Sequence, residues 1–296
     1  MSYTANVSSI QDFMQCRFRW LCKWVLNRVP RQESPALEQG KLLHLIFEDV
    51  LKGTHSMKDA IDFRCSALPA GSAAVEGIND LKEALLLWKD HYQWDIPVLE
   101  VEEPFVIPHP MDQFYRIKGR PDRVGVMNGY LWHIQNRGLA ASMNFGVYME
   151  LATRHYHEHV YAEALSKKYP QYTYGGTMFN LVRKLKYRTN AGKKNESVKS
   201  YDQMFFQHPM VIDMDSNLHK EVMHAMLEHM REMYRVEQEW SMDLTVPPPN
   251  EKMNGGFSGS SIDPYFRVLT GKVDIMDDTY FKDREDTYAN TEGAEQ

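Results

Sequence analysis

The sequence has few cysteines, no long apolar run and no excess of positive charge. Its three cysteines form no CxxC pair, which argues against a disulfide framework and against a four-thiolate metal site. No apolar stretch reaches the roughly 18 to 20 residues that cross a bilayer, and the first residues lack the basic-then-apolar pattern of a secretion signal. These absences predict a cytoplasmic protein with reduced thiols and no membrane partner.

The charge balance excludes a protein that coats nucleic acid along its whole surface. Acidic residues outnumber basic ones by 40 to 34, but eight acids and two bases lie in residues 274–296. The rest of the chain is therefore neutral, and any binding to a polyanion must use local basic patches. With 296 residues, 43% of them apolar, the chain is long enough to bury a substantial core.

Hydrophobic spacing changes along the chain and predicts an α/β protein. Helical spacing predicts helices over residues 9–27, 37–52, 75–94, 145–168 and 217–240. Short segments rich in β-branched and aromatic residues predict strands over residues 98–107, 113–119, 121–127, 130–135, 172–186 and 204–213. Four methionines recur at helical spacing in the last helix and are expected in the core: Met223, Met226, Met230 and Met233.

A tight hairpin is predicted at Asn128-Gly129, because a two-residue type I′ turn needs positive φ at both positions. If the residues on either side of this turn pair, Asp122 falls opposite Gln135, with Cβ atoms roughly 4.5 to 5.5 Å apart. Arg137, two residues further on, shares that face of the sheet. A bulge at Gly125 would shift this register by one residue. The hairpin thus predicts a convergence of a carboxylate, an amide and a guanidinium.

Several motifs, in this order and spacing, resemble the RecB-like branch of the PD-(D/E)XK nuclease superfamily over residues 8–168. The motifs are Gln15-Cys16-Arg17-Phe18-Arg19-Trp20, Gly40 to His44, the acidic strand LEVEEPFVI, Gly119 to Asp122, Gln135 with Arg137, and His157 to Tyr161. The resemblance implies a restriction-endonuclease-like mixed central sheet flanked by helices. It also implies hydrolysis of DNA by a divalent metal ion, Mg²⁺ or Mn²⁺.

The resemblance implies a single nuclease domain over residues 1–245, with N-terminal helices at 9–94, a catalytic sheet core at 98–212 and a closing helix at 217–240. An irregular Pro/Gly/Ser-rich to acidic region follows over residues 246–296. Asp122, Gln135 and His44 are the implied metal ligands, and the nitrogen of His44 would favour Mn²⁺. Arg137 would stabilise charge on the phosphate, and Tyr161 with His157 would position the substrate.

Two departures from the family pattern leave a second hypothesis open. Gln135 stands where the family has an acid, and Arg137 stands where it has a lysine. Gln135 brings no charge to a metal ion, and Arg137 stays protonated, so it cannot act as a base. The alternative is a catalytically silent relative that binds DNA or a partner protein. An acid from Glu100, Glu102 or Glu103 would restore the missing charge.

Other candidate groups complete the predictions. Relatives with an iron–sulfur cluster carry three C-terminal cysteines, which this chain lacks, so no such cluster is expected and Cys16 is predicted to be buried. Basic residues that would contact DNA phosphates are Arg17, Arg19, Arg183, Lys184, Lys186 and Arg188. A zinc hydrolase using His155 and His159 is a third hypothesis. Without a GxxxxGK[ST] motif, strand separation would need a partner such as a helicase, recombination or annealing protein.

Overall fold

The computed structural model describes residues 2–31, 35–69, 71–88, 96–140, 144–184, 205–243, 265 and 274–284. These residues form the strands β1 Tyr3–Asn6, β2 Arg28–Pro30, β3 Val98–Val101, β4 Phe105–His109, β5 Asp112–Gly119, β6 Arg123–Met127, β7 Tyr130–Ala140, β8 Thr173–Lys184, β9 Phe205–Met210 and β10 Phe281–Asp283. The α-helices are α1 Val7–Gln15, α2 Arg17–Trp20, α3 Pro35–Leu51, α4 Met57–Ser66, α5 Ala73–Asn79, α6 Lys82–Leu86, α7 Phe145–Ala152, α8 Tyr156–Lys168 and α9 Asn217–Asp243, and a π-helix spans Leu21–Val25.

The chain divides into two units, each assembled from separate parts of the sequence. One comprises Met1–Glu33, Pro104–Gly119 and Asp215–Gln296, and the other comprises Ser34–Glu103 and Arg120–Met214. The predicted division into residues 1–245 and 246–296 stays a prediction. Residues 246–264, 266–273 and 285–296 of the proposed C-terminal region lie outside the described residues.

The second unit contains the mixed central sheet that the sequence predicts. Its five strands lie in the order β3-β6-β7-β8-β9, and only β7 and β8 run parallel. Helix α3 contacts β7, and helix α8 contacts β8. Apolar residues of α3 to α6 form a buried cluster with Val182 and Phe205 of the sheet. The expected α/β fold, a mixed sheet flanked by helices, is confirmed.

The first unit has smaller sheets and a long helix. Strands β1, β5 and β4 form one sheet, and β2 pairs with β10. The methionine face of α9 is buried as predicted, with Met223, Met226, Met230 and Met233 at most 2% exposed. Cys16 is buried, as predicted, beside Phe18 and Phe281. No helix of the described residues is both long and apolar enough to cross a membrane.

Three predicted helices are wrong in extent. The helix predicted over residues 145–168 is two helices, α7 and α8, with a turn between Ala152 and Tyr156. The helix predicted over residues 9–27 is interrupted at Cys16, whose extended backbone lets its Sγ accept a hydrogen bond from the Arg19 amide and begin a new helix. The helix predicted over residues 75–94 is two short helices, α5 and α6, and residues 89–95 lie outside the described residues. Helix α4 was not predicted, although Ser56 accepts from the Asp59 amide in an N-cap.

Candidate functional site

The hairpin that joins β6 and β7 has the predicted register. Asn128 and Gly129 both have positive φ, at 54° and 80°, and Met127 pairs with Tyr130. The pairing continues without a shift to Arg123 and Ile134, so no bulge forms at Gly125 between these strands. Asp122 directly precedes β6, and its Oδ2 accepts from the Asn136 amide at 3.4 Å. The turn therefore brings Asp122 beside β7, as the spacing predicts.

An acidic cluster surrounds His44 on α3. His44 Nε2 lies 2.8 Å from Glu102 Oε1, and His44 Nδ1 lies 4.0 Å from Asp122 Oδ2. Glu48 follows one helical turn after His44 and points to the same side of the helix. Ligand atoms of His44, Glu48 and Glu102 lie within 4.8 Å of one another, an arrangement found at no other place in the described part of the chain. These groups can hold a metal ion.

Backbone pairing at the end of the sheet positions two of these acids. Glu102 follows β3, and its amide donates to the Asp122 carbonyl at 3.2 Å, so the end of β3 lies beside the start of β6. Glu102 has a φ of 56°, a left-handed conformation that is uncommon for a residue other than glycine. Such strained backbone is concentrated at functional sites in proteins. The conformation supports a functional role for the Glu102 carboxylate.

The site balances its negative charge with two nearby cations. The Glu102 side chain is only 4% exposed, and its Oε2 lies 2.8 Å from Arg120 Nε. Burial by itself lowers the pKa of His44, but the hydrogen bond that His44 donates to Glu102 and the charges of Asp122, Glu102 and Glu48 together raise this pKa to about 9. The metal-free site is therefore an ion-pair network in which His44 is protonated near neutral pH.

Gln135 is buried against α8, and its amide has one unused acceptor. Its Nε2 donates to Glu158 Oε1 at 2.7 Å, while its Oε1 is buried and has no hydrogen-bond partner among the described residues. A buried amide oxygen without a partner fits a cation ligand, because such oxygens are normally paired. The donor set of carboxylate and amide oxygens with one imidazole nitrogen suits Mg²⁺ or Mn²⁺.

Arg137 lies two residues beyond Gln135 and faces the same side of the sheet. Burial lowers the pKa of Arg137. Electrostatic interactions with neighbouring groups raise it by more, so the pKa lies above its usual value; these groups are Tyr148, Glu158, Asp122 and Tyr161. Arg137 therefore stays a cation beside the acidic cluster. The sequence suggested that one of three glutamates restores the missing negative charge. Glu102 reaches this cluster, whereas Glu100 accepts hydrogen bonds from Lys168 and Tyr169 instead.

Tyr161 and His157 of α8 have structural contacts that the sequence did not reveal. The Tyr161 hydroxyl donates to the Arg120 carbonyl at 3.1 Å, and its ring packs edge-on against His133. Burial and the positive charge of Arg137 lower the pKa of His157 to about 3, so His157 is neutral. Their predicted roles in positioning substrate stay predictions.

The predicted DNA-contacting cations are only partly described. Arg17 pairs with Glu232, and Arg19 pairs with Asp12 at 3.1 Å, both in the first unit. Arg183 stacks over Phe206 at 5.1 Å from the ring centroid. Lys186 and Arg188 lie outside the described residues, and so does the side chain of Lys184, although its backbone ends β8. The basic patch stays a prediction.

The zinc hypothesis has no ligand set at α8. His159 is 2% exposed, and its Nε2 is 2.8 Å from the Thr153 carbonyl. No group of three metal-ligating side chains includes His155 or His159 among the residues that the structure describes. The His159 ring is therefore engaged by a backbone carbonyl of the protein.

Sequence reasoning missed Glu48 and Glu158. Glu48 follows His44 by four residues, a helical spacing that could have indicated it. Glu158 lies in the motif His157 to Tyr161, but no pattern indicated that it is fully buried and accepts hydrogen bonds from Gln135 and Thr177. Only the packing of α8 on the sheet brings Glu158 to β7.

Comparison with known proteins identifies the family. A search of curated proteins finds no match to this chain. The family profile of the PD-(D/E)XK nuclease superfamily matches residues 4–179, which is more than half of the chain. The matched range includes His44, Glu102, Asp122, Gln135 and Glu158. The mixed sheet and the acidic cluster at its end agree with this match, and the chain belongs to the PD-(D/E)XK nuclease superfamily.

Proposed function

We propose that this protein is a metal-dependent deoxyribonuclease that hydrolyses phosphodiester bonds, acting as an exonuclease in phage or bacterial DNA recombination or processing. The observation that carries this proposal is the meeting of Glu102 and Asp122 at His44, with Glu48 on the next helical turn. Carboxylates gathered around an imidazole at the end of a mixed sheet suit a hard divalent cation.

The residues that would hold Mg²⁺ or Mn²⁺ are Asp122, Glu102, His44 and Gln135, with Glu48 near them. The ion would supply Lewis-acid stabilisation of the phosphate and activation of water. Glu102 provides the charge that Gln135 lacks at the family's second acidic position. The shortage of negative charge that Asp122 and Gln135 alone would leave around the metal ion is thereby removed.

The remaining residues act on the DNA. Arg137 stays protonated and would stabilise the negative charge that develops on the phosphate, but it cannot accept a proton. Tyr161 and His157 would position the nucleotide. Arg183, Lys184, Lys186 and Arg188, with Arg17 and Arg19, would contact backbone phosphates, so binding should weaken steeply as salt rises. A helicase, recombination or annealing protein would separate the strands where this is required.

A catalytically silent DNA-binding or partner-binding protein is the second candidate. One observation favours it: both oxygens of Glu102 are already engaged, one by His44 and the other by Arg120, each at 2.8 Å. A carboxylate held by two cations is neutralised without a metal ion. In this case the family's geometry would remain while the ion-pair network replaces the metal.

Digestion of linear DNA with Mn²⁺ or Mg²⁺ tests the proposal. The wild type should degrade DNA, EDTA should stop the reaction, and Asp122→Ala should abolish it while circular dichroism shows an unchanged fold. Asp62→Asn is a control, since Asp62 is exposed on α4 and pairs with Lys82. The silent alternative is supported if the wild type is inert with both metals but a variant with Gln135→Glu and Arg137→Lys cleaves.

A further inference from the structure

We propose that Glu158 is a positioning residue for the metal site: its carboxylate orients the Gln135 amide so that the amide oxygen is the ligand. This inference rests on the proposed function. It concerns a residue in α8 that lies outside the acidic cluster at His44.

The Glu158 carboxylate is fully buried and is held from several sides. It accepts from Gln135 Nε2 at 2.7 Å and from Thr177 Oγ1 at 2.5 Å, and His133 Nδ1 lies 3.6 Å from Oε2. Its exposed fraction is 0%. A buried carboxylate needs such partners to remain ionised, so Glu158 is a fixed negative charge beneath β7.

The contact with Glu158 fixes which end of the Gln135 amide is free. A carboxylate can only accept, and in the amide only the nitrogen donates, so the nitrogen must face Glu158. The Gln135 oxygen then points elsewhere, and it is buried without a hydrogen-bond partner among the described residues. Because Asp122 lies next to β7 through the Asn136 amide, the freed oxygen and the Asp122 carboxylate belong to the same end of the sheet.

The buried contact between positions 135 and 158 accommodates one carboxylate but not two. With glutamate at position 135, two carboxylates would meet at hydrogen-bond distance in a buried place, where like charges repel strongly. An acid in the helix with an amide in the strand therefore keeps one negative charge at this point. Arg137 lies in the electrostatic field of both Glu158 and Asp122, so the charge of Glu158 acts on the same cation.

Four variants test this inference by Mn²⁺ calorimetry and by thermal unfolding in EDTA. Glu158→Gln should weaken Mn²⁺ binding about 10-fold, because an amide at 158 can offer either end and no longer holds Gln135 in one orientation. Gln135→Glu should lower the metal-free melting temperature. The double variant Gln135→Glu/Glu158→Gln, which reverses the hydrogen bond, should recover that temperature and bind Mn²⁺ at least as tightly as the wild type.

Glu100→Gln is the matched control. Glu100 is also a carboxylate with a mostly buried side chain, and it accepts hydrogen bonds from Lys168 and Tyr169. This change should lower the melting temperature but leave the Mn²⁺ affinity as in the wild type. A loss of affinity specific to Glu158→Gln would support positioning rather than a general loss of stability.

The inference is overturned if Glu158→Gln binds Mn²⁺ as tightly as the wild type, or if Gln135→Glu and the double variant unfold at the same temperature in EDTA. If Glu158→Gln fails to fold, the melting temperature of the double variant in EDTA is the test. The inference is overturned if that temperature does not recover. Neither of these results contradicts the proposed nuclease function, provided that the wild type binds Mn²⁺. A folded wild type that binds no Mn²⁺ overturns the metal site itself.

Discussion

Replacement of Glu102 by glutamine should separate its two roles, as an ion-pair partner and as a metal ligand. The change keeps the size of the side chain but removes its charge. In the metal-free protein, Glu102 accepts from His44 and Arg120, each at 2.8 Å, from a side chain that is 4% exposed. The variant leaves two cations facing a neutral amide.

The expected loss of stability is about 2 kcal/mol. Hydrogen bonds to charged groups contribute about 1.5 to 3 kcal/mol each, and breaking a fully buried ion pair costs about 3 to 5 kcal/mol. The side chains of His44 and Arg120 are 33% and 31% exposed, so water replaces part of the lost interaction and the lower figure applies. For a protein of this size, about 2 kcal/mol lowers the melting temperature by about 4 to 8 °C.

Thermal unfolding in EDTA and in saturating Mn²⁺ measures both effects. A ligand at 100 times its dissociation constant stabilises the wild type by about 2.7 kcal/mol, and Glu102→Gln should lose most of this gain. Glu100→Gln should lose stability in EDTA but keep the gain from Mn²⁺. An equal Mn²⁺ shift in the wild type and in Glu102→Gln would refute the assignment of Glu102 as a ligand.

Two further changes test the elements around the site. Gly125→Ala should cost about 1 to 3 kcal/mol, because the new Cβ would lie 2.5 Å from the Pro97 carbonyl oxygen. By displacing β3 it should also weaken Mn²⁺ binding, which urea unfolding and calorimetry check. Gly71→Ala, between α4 and α5 where a Cβ meets no atom within 4 Å, is the control and should leave Mn²⁺ binding unchanged. His157, whose pKa is lowered to about 3, stays neutral in the fold while the unfolded chain gains a proton below about pH 6.5. Stability should therefore fall as pH decreases from about 6.5 toward 3, by at most about 1.4 kcal/mol per unit for this group, and His157→Gln should remove that part of the slope in urea midpoints at pH 7 and 5.

The sequence is sufficient to predict those elements whose structure depends on residues that are neighbours in the chain. Asn128-Gly129 determines the turn, the turn sets the register of β6 and β7, and this register places Asp122 beside β7. The methionine spacing of α9 likewise identifies its buried face. Both predictions are confirmed because hydrogen bonding across a tight turn and helical periodicity involve only a few adjacent residues.

Local patterns fail where a single residue changes the backbone or where a segment lacks strong periodicity. Cys16 ends α1 through its extended conformation, which no apolar spacing reveals. The segment predicted as one helix over residues 75–94 contains a turn near Asp80 and Leu81, where α5 ends and α6 begins. These boundaries depend on how short helices pack with α3, and that packing is not encoded in their own spacing.

By itself, the sequence determined the mixed α/β character, the hairpin and the identity of His44, Asp122, Gln135 and Arg137 as residues to be examined together. Only the tertiary structure selected Glu102 from three nearby glutamates and brought Glu158 to Gln135. The physical reason is distance along the chain. Glu102 meets His44 because β3 ends beside β6 and under α3, and Glu158 meets Gln135 because α8 packs on the sheet, so both contacts exist only after the chain has folded.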